Sequence, residues 1–478
     1  MKIINIKHLV LLLPFIILGC YEDVDDNPIS DTEIKDFIWS GLNTWYYWQD
    51  QVTDLADDRF LDSANYTQFL NSFDTPDQMF YSLLSDQDRF SWIVDDYFAL
   101  NNALNGVSKS NGMEFGVGLI DGGSNAFGVV QYVLPNTSAS TNNLQRGNFF
   151  LTVDGIQLTE NNYRNLLFFG SDTYTIGLAE LDTSNNLVLT GQTVTLTKQV
   201  YEENPILIAN TFTVEGIKVG YLMYNRFTSG YDQQLNNIFG QFAAEGVQDL
   251  VLDLRYNPGG SVNSAINLGS MIAGEPTTSV FLKQQWNNKI QAILTDVQVN
   301  KYFTNQLSDG TSINTLNLNK VYILAQGSSA SASELVINCL RPYLDVIHIG
   351  DVTVGKNEFS TTLYDSPSCN YSCTTGINPN HTWAMQPLVG KSENANGFFE
   401  YETGLIPTLT LEENVANYGV LGQQDEPLLA RAIQHITGNG RFSNQSILNN
   451  LKIKDYSKLN TITKDNMYID SEGLNVFK

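Results

Sequence analysis

The chain has 478 residues, 42% of them hydrophobic and 16% charged, enough to bury two or three separate cores. That balance belongs to a globular protein and excludes a disordered or membrane-embedded chain. Its 26 Lys and Arg stand against 51 Asp and Glu, a formal charge of −25, which repels phosphate backbones and excludes nucleic acid as an expected partner.

Lys2 and Lys7 form a short positive region ahead of an apolar run from Leu9 to Leu18, broken only by Pro14. A run this short reads as a signal segment, not a transmembrane span. It ends in Leu18-Gly19-Cys20, which resembles a bacterial lipobox. The resemblance implies cleavage before Cys20, a lipid on its thiol, and a place in the cell envelope on the outer membrane, periplasmic or surface-exposed. Residues 1–19 are thus read as a lipoprotein signal peptide, and 20–29, with Glu22, Asp23, Asp25 and Asp26, as an acidic linker.

Residues 30–105 read as an N-terminal helical domain. Ser30 and Glu33 make a capping-box pattern, and Ile34, Phe37, Ile38, Leu42 and Trp45 follow at helical spacing. A second start is Thr75-Pro76-Asp77-Gln78, with Pro at the first helical position. The cluster Trp45-Tyr46-Tyr47-Trp48 reads as core. Residues 106–200 change to short strands and Gly/Asn turns: Phe115-Gly116-Val117-Gly118-Leu119, then Gly128 to Val133, Phe149 to Val153, and the alternating Thr193 to Thr197. This order resembles a PDZ domain, with Phe115, Gly116, Val117 and Gly118 as the peptide-binding loop and Asn148 where that family usually carries Asp. Free backbone N–H groups beside a sheet edge can hold a terminal carboxylate, which is why glycines suit such a loop.

Residues 201–440 alternate strands and helices, the pattern of an α/β core. Strands are expected at Lys218–Tyr224, Leu250–Leu254, Val321–Leu324 and Val346–Ile349, and helices around Leu235–Phe242 and Ser333–Leu340. Three stretches carry chemistry. Asp253-Leu254-Arg255-Tyr256-Asn257-Pro258-Gly259-Gly260 ends a strand in a glycine turn before a helix, where backbone N–H groups face open space as an oxyanion requires. Gly327-Ser328-Ser329-Ala330-Ser331-Ala332-Ser333-Glu334 places small residues at a helix start, where a hydroxyl either faces a substrate or simply caps the helix. Gly355-Lys356 follows the next strand; a lysine there serves as a base only if burial favours its neutral form.

Taken in order, D-L-R-x-N-P-G-G, S-A-S-A-S-E and G-K resemble the C-terminal processing (tail-specific) protease family. The resemblance implies a multidomain α/β fold: a ClpP/crotonase-like core, an inserted or preceding PDZ-like β domain and an N-terminal helical cap. It implies Ser331 as nucleophile, Lys356 as its base, and an oxyanion hole from Gly259 or Gly260 with Ala332. No cofactor or metal is implied, and the expected partners are protein or peptide substrates. Many family members carry Gln four residues after the Lys; here Ser360 stands there as the candidate third member. Gly404 to Thr408 resembles the family's G-I-x-P strand and Glu426 to Ala432 its closing helix. Cys369 and Cys373 suit a small disulfide loop in an exported protein, whereas Cys339 and His348 sit in apolar segments and read as core. The tail 441–478 carries no legible signal. The rival readings are a non-catalytic PDZ lipoprotein that binds or scaffolds peptides, and an esterase, against which the missing G-x-S-x-G elbow argues.

Overall fold

The computed structural model describes residues 31–120, 123–438, 451–461, 463 and 466–469. The signal segment, the acidic linker and Cys20 lie outside them. At the centre is a six-stranded sheet ordered Ile206–Val214, Ile217–Tyr224, Asp249–Asp253, Lys320–Ala325, Asp345–Gly350 and Leu409–Thr410. Only the first pair is antiparallel; the other strands run parallel. The strand period of two sorts side chains between two cores. Leu222, Leu250, Leu252, Leu254, Val321 and Ile323 pack with the helices Asp232–Ala244, Val262–Ala273 and Ala332–Leu340. Tyr221, Met223, Val251, Tyr322, Leu324, Ile347 and Ile349 face the other way, against Leu428, Leu429 and Ala432 of the helix Pro427–Thr437. Burial on both faces is why these strands read as unbroken apolar runs.

A second, antiparallel sheet runs Leu451–Tyr456, Met113–Ile120, Ala126–Val133, Phe149–Val153, Thr173–Leu181 and Leu187–Thr197. It has a core of its own, including Phe115, Val117, Val130, Phe150, Ile176 and Leu196. The chain enters and leaves this unit through the paired strands Val107–Ser110 and Gln199–Glu202, so its two ends lie side by side. A third sheet, Gly260–Ser261, Met467–Ile469, Glu358–Thr361, Leu388–Asn394, Val280–Trp286 and Asn300–Tyr302, stands over the ends of the central strands.

The N-terminal segment forms the helices Asp31–Trp45, Ser63–Leu70, Pro76–Ser82 and Tyr97–Leu104. Thr75 caps the third, its side chain accepting from the Gln78 amide at 3.2 Å. The segment is not purely helical, because Trp92–Val94 pairs with Ala384–Gln386. Trp45, Tyr46 and Trp48 are buried, and the Tyr47 amide donates to the Leu388 carbonyl at 2.9 Å, fixing this segment against the third sheet. Cys369 and Cys373 are bridged and Cys339 is buried.

Two expectations need correction. Gly404 to Thr408 is not a strand; the paired residues are Leu409 and Thr410, since Pro407 has no N–H to give a ladder and the Leu405 amide donates to Thr353 Oγ1 at 2.8 Å. The tail is not featureless: Leu451–Tyr456 and Met467–Ile469 are strands in two different sheets.

Behind the end of the Asp249–Asp253 strand lies a buried charge network. Fully buried Arg255 bonds Asp253 at 2.7 Å, Glu426 at 2.6 Å and Glu413 at 2.9 Å, and Arg146 bonds Glu413 at 2.6 Å. Tyr221 and Tyr256 donate their hydroxyls to Asp253 and Glu413. Three carboxylates and two guanidiniums are mutually satisfied there, so removing one cation strands anions in a low dielectric. Arg255→Ala is expected to destabilise the chain by about 3–5 kcal/mol, read from urea unfolding.

Candidate active site

The glycine turn is held by Asn257. Its side-chain amide donates to the Tyr224 carbonyl at 2.8 Å, its Oδ1 accepts from the Gly259 amide at 2.8 Å, and its carbonyl accepts from Ser333 Oγ at 2.9 Å. The Gly259 amide is therefore taken, which corrects the expectation that it faces an oxyanion. Gly260 has φ +139°, and a Cβ there would stand 2.1 Å from the Phe227 carbonyl oxygen. Phe227 already bonds the Gly259 carbonyl and the Ser261 amide, each at 2.9 Å. In a parallel ladder that leaves the amide and carbonyl of Gly260 for the strand on its other side.

Ser331 is the N-cap residue of the helix Ala332–Leu340 and has φ +67°. A non-glycine residue held there by its neighbours marks a position where strain is tolerated for geometry. It stands in a capping-box arrangement with Glu334, and one half of the box is made in full: the Ser331 amide donates to Glu334 Oε2 at 2.7 Å. The hydroxyl itself is buried and has no hydrogen-bond partner among the described residues. A methyl built on Gly259 would lie 2.6 Å from Ser331 Cβ and 3.0 Å from the Ala332 nitrogen, so the glycine turn, Ser331 and the first helical amide converge on one point.

Glu334 carries more than the sequence assigns to it. Its Oε2 also accepts the Lys356 amide at 2.9 Å; its Oε1 accepts the Gly355 amide at 2.6 Å and the Thr353 hydroxyl. One carboxylate thus fastens the Ser331 turn to the Lys356 loop. Burial raises its carboxyl to about 7, against the four donors that pull the other way. Lys356 is buried at 1% exposure, with its Nζ 4.9 Å from the Phe90 ring centre, and the Arg89 guanidinium holds the Gly355 carbonyl. The N-terminal segment therefore builds one wall of this site.

Ser360 lies on the strand Glu358–Thr361. Its Oγ faces Gln386 Oε1 at 2.7 Å, Asn466 Oδ1 at 2.9 Å and the Met467 carbonyl at 3.4 Å. With a single proton it donates to only one of them at a time. Sequence reasoning missed Gln386 and Asn466, which come from distant segments. His348 is buried in the central sheet, and desolvation pushes its imidazole down to about 4, leaving it neutral. Phe115 to Gly118, expected as a peptide-binding loop, lie instead inside the strand Met113–Ile120, and its edge is covered: Gly116, Val117 and Gly118 pair with Tyr456, Asp455 and Ile453, and the Phe115 amide donates to Ser457 Oγ at 3.0 Å.

Residues 218–388 match the sequence model described as peptidase family S41, and residues 33–92 match that of the peptidase S41 N-terminal domain. Over these two stretches the chain is similar to peptidase family S41, which supports a serine-type peptidase. A solved S41-family structure from Bacteroides fragilis superposes with a TM-score of 0.65 at 25% identity, covering 84% of this chain and 97% of that one. A carboxyl-terminal-processing protease of Synechocystis is 20% identical, and a chloroplastic C-terminal processing peptidase of Tetradesmus obliquus 24% identical; these matches cover 53% and 52% of this chain. They span 52% of each of those relatives, and 34% of a CtpA-like relative from Staphylococcus epidermidis. The S41 match takes in Gly259, Gly260, Ser331, Glu334, Lys356 and Ser360 within its bounds.

The raised carboxyl of Glu334 has a stability consequence with a definite sign. The folded chain keeps a proton that the unfolded chain releases near pH 4.5, so this contribution is full below 4.5 and is lost as pH rises through about 7. Comparing urea unfolding at pH 4 and pH 8, wild type should lose about 3 kcal/mol more than Glu334→Gln across that interval.

Proposed function

We propose that this protein is a serine endopeptidase that cuts unfolded or C-terminally presented protein segments. The observation that carries it is the Ser331 hydroxyl, buried at a helix N-terminus without a hydrogen-bond partner among the described residues, with the backbone of Lys356 held on the same Glu334 oxygen. In this reading Lys356 acts in its neutral form, which burial favours. It accepts the Ser331 proton as Oγ attacks the peptide carbonyl, and the amides of Gly260 and Ala332 receive the developing negative oxygen. The C–N bond breaks as Lys356 passes the proton to the leaving amine, and water then hydrolyses the acyl ester. Ser360 orders the floor of the cleft through Gln386.

The unit 106–200 serves as a PDZ-like peptide-holding domain, 30–105 as the helical cap and 201–440 as the catalytic core. Lipid on Cys20 would tether all three to an envelope membrane. Support for the peptidase reading comes from the family match and from the relatives, which are themselves C-terminal processing proteases.

The test is hydrolysis of an unstructured protein such as casein by the purified chain. Ser331→Ala and Lys356→Ala are each expected to lower kcat by at least about 10³-fold with unfolding midpoints retained. Gly260→Ala keeps the amide but sets a Cβ against the Phe227 carbonyl, so it should displace that donor and lower kcat by about 10²–10³-fold. The wild-type rate should fall as pH drops below about 7, where Glu334 takes a proton and loses an acceptor position. Hydrolysis that survives both the Ser331 and Lys356 changes would overturn the assignment.

A further inference from the structure

The cleft between the glycine turn and the strand following Lys356 is filled by the chain itself. Met467–Ile469 runs parallel to both walls, with Met467 opposite Gly260, Tyr468 opposite Ser261 and Ser360, and Ile469 opposite Thr361. Asn466, Met467, Tyr468 and Ile469 are all buried. A strand this short, bonded on both edges, is how an extended peptide lies in a sheet-lined groove.

Its register is specific. The methyl built on Gly259 that meets Ser331 Cβ and the Ala332 nitrogen would also stand 2.7 Å from the Asn466 carbonyl oxygen. The Gly260 amide, left over by Phe227, points to the same strand at the same level. The Asn466 carbonyl therefore sits where the two expected oxyanion donors and the Ser331 side chain meet. Upstream, Leu451–Tyr456 adds as an edge strand to Met113–Ile120, covering Gly116 to Gly118. One tail thus occupies both peptide-accepting sheet edges, and Ser360 Oγ against Asn466 Oδ1 fixes the residue at the crossing point.

We propose that this tail is the protein's own first substrate, cut between Asn466 and Met467. The inference rests on Ser331 being the nucleophile. Ser331 Oγ bonds to the Asn466 carbonyl carbon, the bond from that carbon to the Met467 nitrogen breaks, and the Oγ proton passes through Lys356 to the new Met467 amine. Water then cleaves the ester, leaving Asn466 as a C-terminal carboxylate, releasing the peptide Met467–Lys478 and freeing Ser331. Until that cut the cleft is closed to other substrates, so hydrolysis of a second protein should begin with a lag.

The experiment follows the intact mass of the purified full chain over time, with casein hydrolysis measured in the same samples. Wild type should lose Met467–Lys478 at a rate independent of protein concentration, and casein hydrolysis should rise in step. Ser331→Ala should keep its full C-terminus. Because Ser331 has an unusual backbone angle and its variant could misfold, Met467→Asp is the second arm: a carboxylate in that buried slot expels the strand. That variant should stay uncut at Asn466 and hydrolyse casein without a lag. A wild-type chain that hydrolyses casein while keeping its C-terminus overturns the self-cleavage and leaves the peptidase reading standing. An uncut, inactive wild type beside an active Met467→Asp also overturns it, making the tail a plug that is never cut. No hydrolysis and no trimming in any form overturns both.

Discussion

The site depends on one buried carboxylate. Glu334 receives the amides of Ser331, Gly355 and Lys356 and the hydroxyl of Thr353, so nearly all of its acceptor capacity is used inside the protein. Desolvating a carboxylate costs several kcal/mol, whereas hydrogen bonds to a charged group return about 1.5–3 kcal/mol each. Four such donors offset much of that cost but not all of it, which is why burial still leaves the carboxyl raised to about 7. What the arrangement secures is position. The positive-φ turn at Ser331 and the loop carrying Lys356 follow neighbouring parallel strands, are joined by the Val354 amide on the Ser329 carbonyl at 3.1 Å, and are held in register by the shared anion. Thr353 extends the constraint, since its hydroxyl also accepts the Leu405 amide that leads into the last strand of the sheet.

The Arg255 network does the same work one layer back. It ties the strand end at Asp253 to Glu413 and Glu426, which flank the closing helix, and through Arg146 to the start of the strand Phe149–Val153 in the second sheet. The Asp253 and Arg255 of the glycine-turn motif are thus structural: they hold the turn, and the turn places Gly260. A motif that reads as one catalytic signature divides into a scaffold half and the glycine turn that the scaffold holds.

This division explains what could be read beforehand. The central strands were legible because two-sided burial forces continuous apolar runs, and the helix Pro76–Ser82 because its cap at Thr75 is local. Ser331, Lys356 and the glycine turn were legible through their joint order. Glu334 was not: in the sequence it is only the acidic partner of a capping box, and its three other donors come from Thr353, Gly355 and Lys356, which nothing local ties to it. The tail strand shows the same limit. Leu451-Lys452-Ile453-Lys454 alternates as an edge strand should, but four residues among Asn, Lys and Ser are too few to stand out until the partner strand is known. Trp92–Val94 and Met467–Ile469 are shorter still, and exist only because a neighbouring edge accepts them.

Those accepting edges are a hazard. A groove that binds any extended peptide by its backbone is an unpaired sheet edge, open to association with any other strand. Here there are two, one on Met113–Ile120 and one between Gly260 and Ser360, and a single stretch of chain covers both. Being tethered, that stretch competes at an effective concentration on the millimolar scale. A free peptide binding one groove alone cannot easily displace it, because the tail is held at the other. The proposed cut after Asn466 frees only the edge at Gly260 and Ser360, since Leu451–Tyr456 lies ahead of it and keeps its pairing with Met113–Ile120. The geometry thus joins the two edges through one common occupant, whose departure from one leaves the other covered.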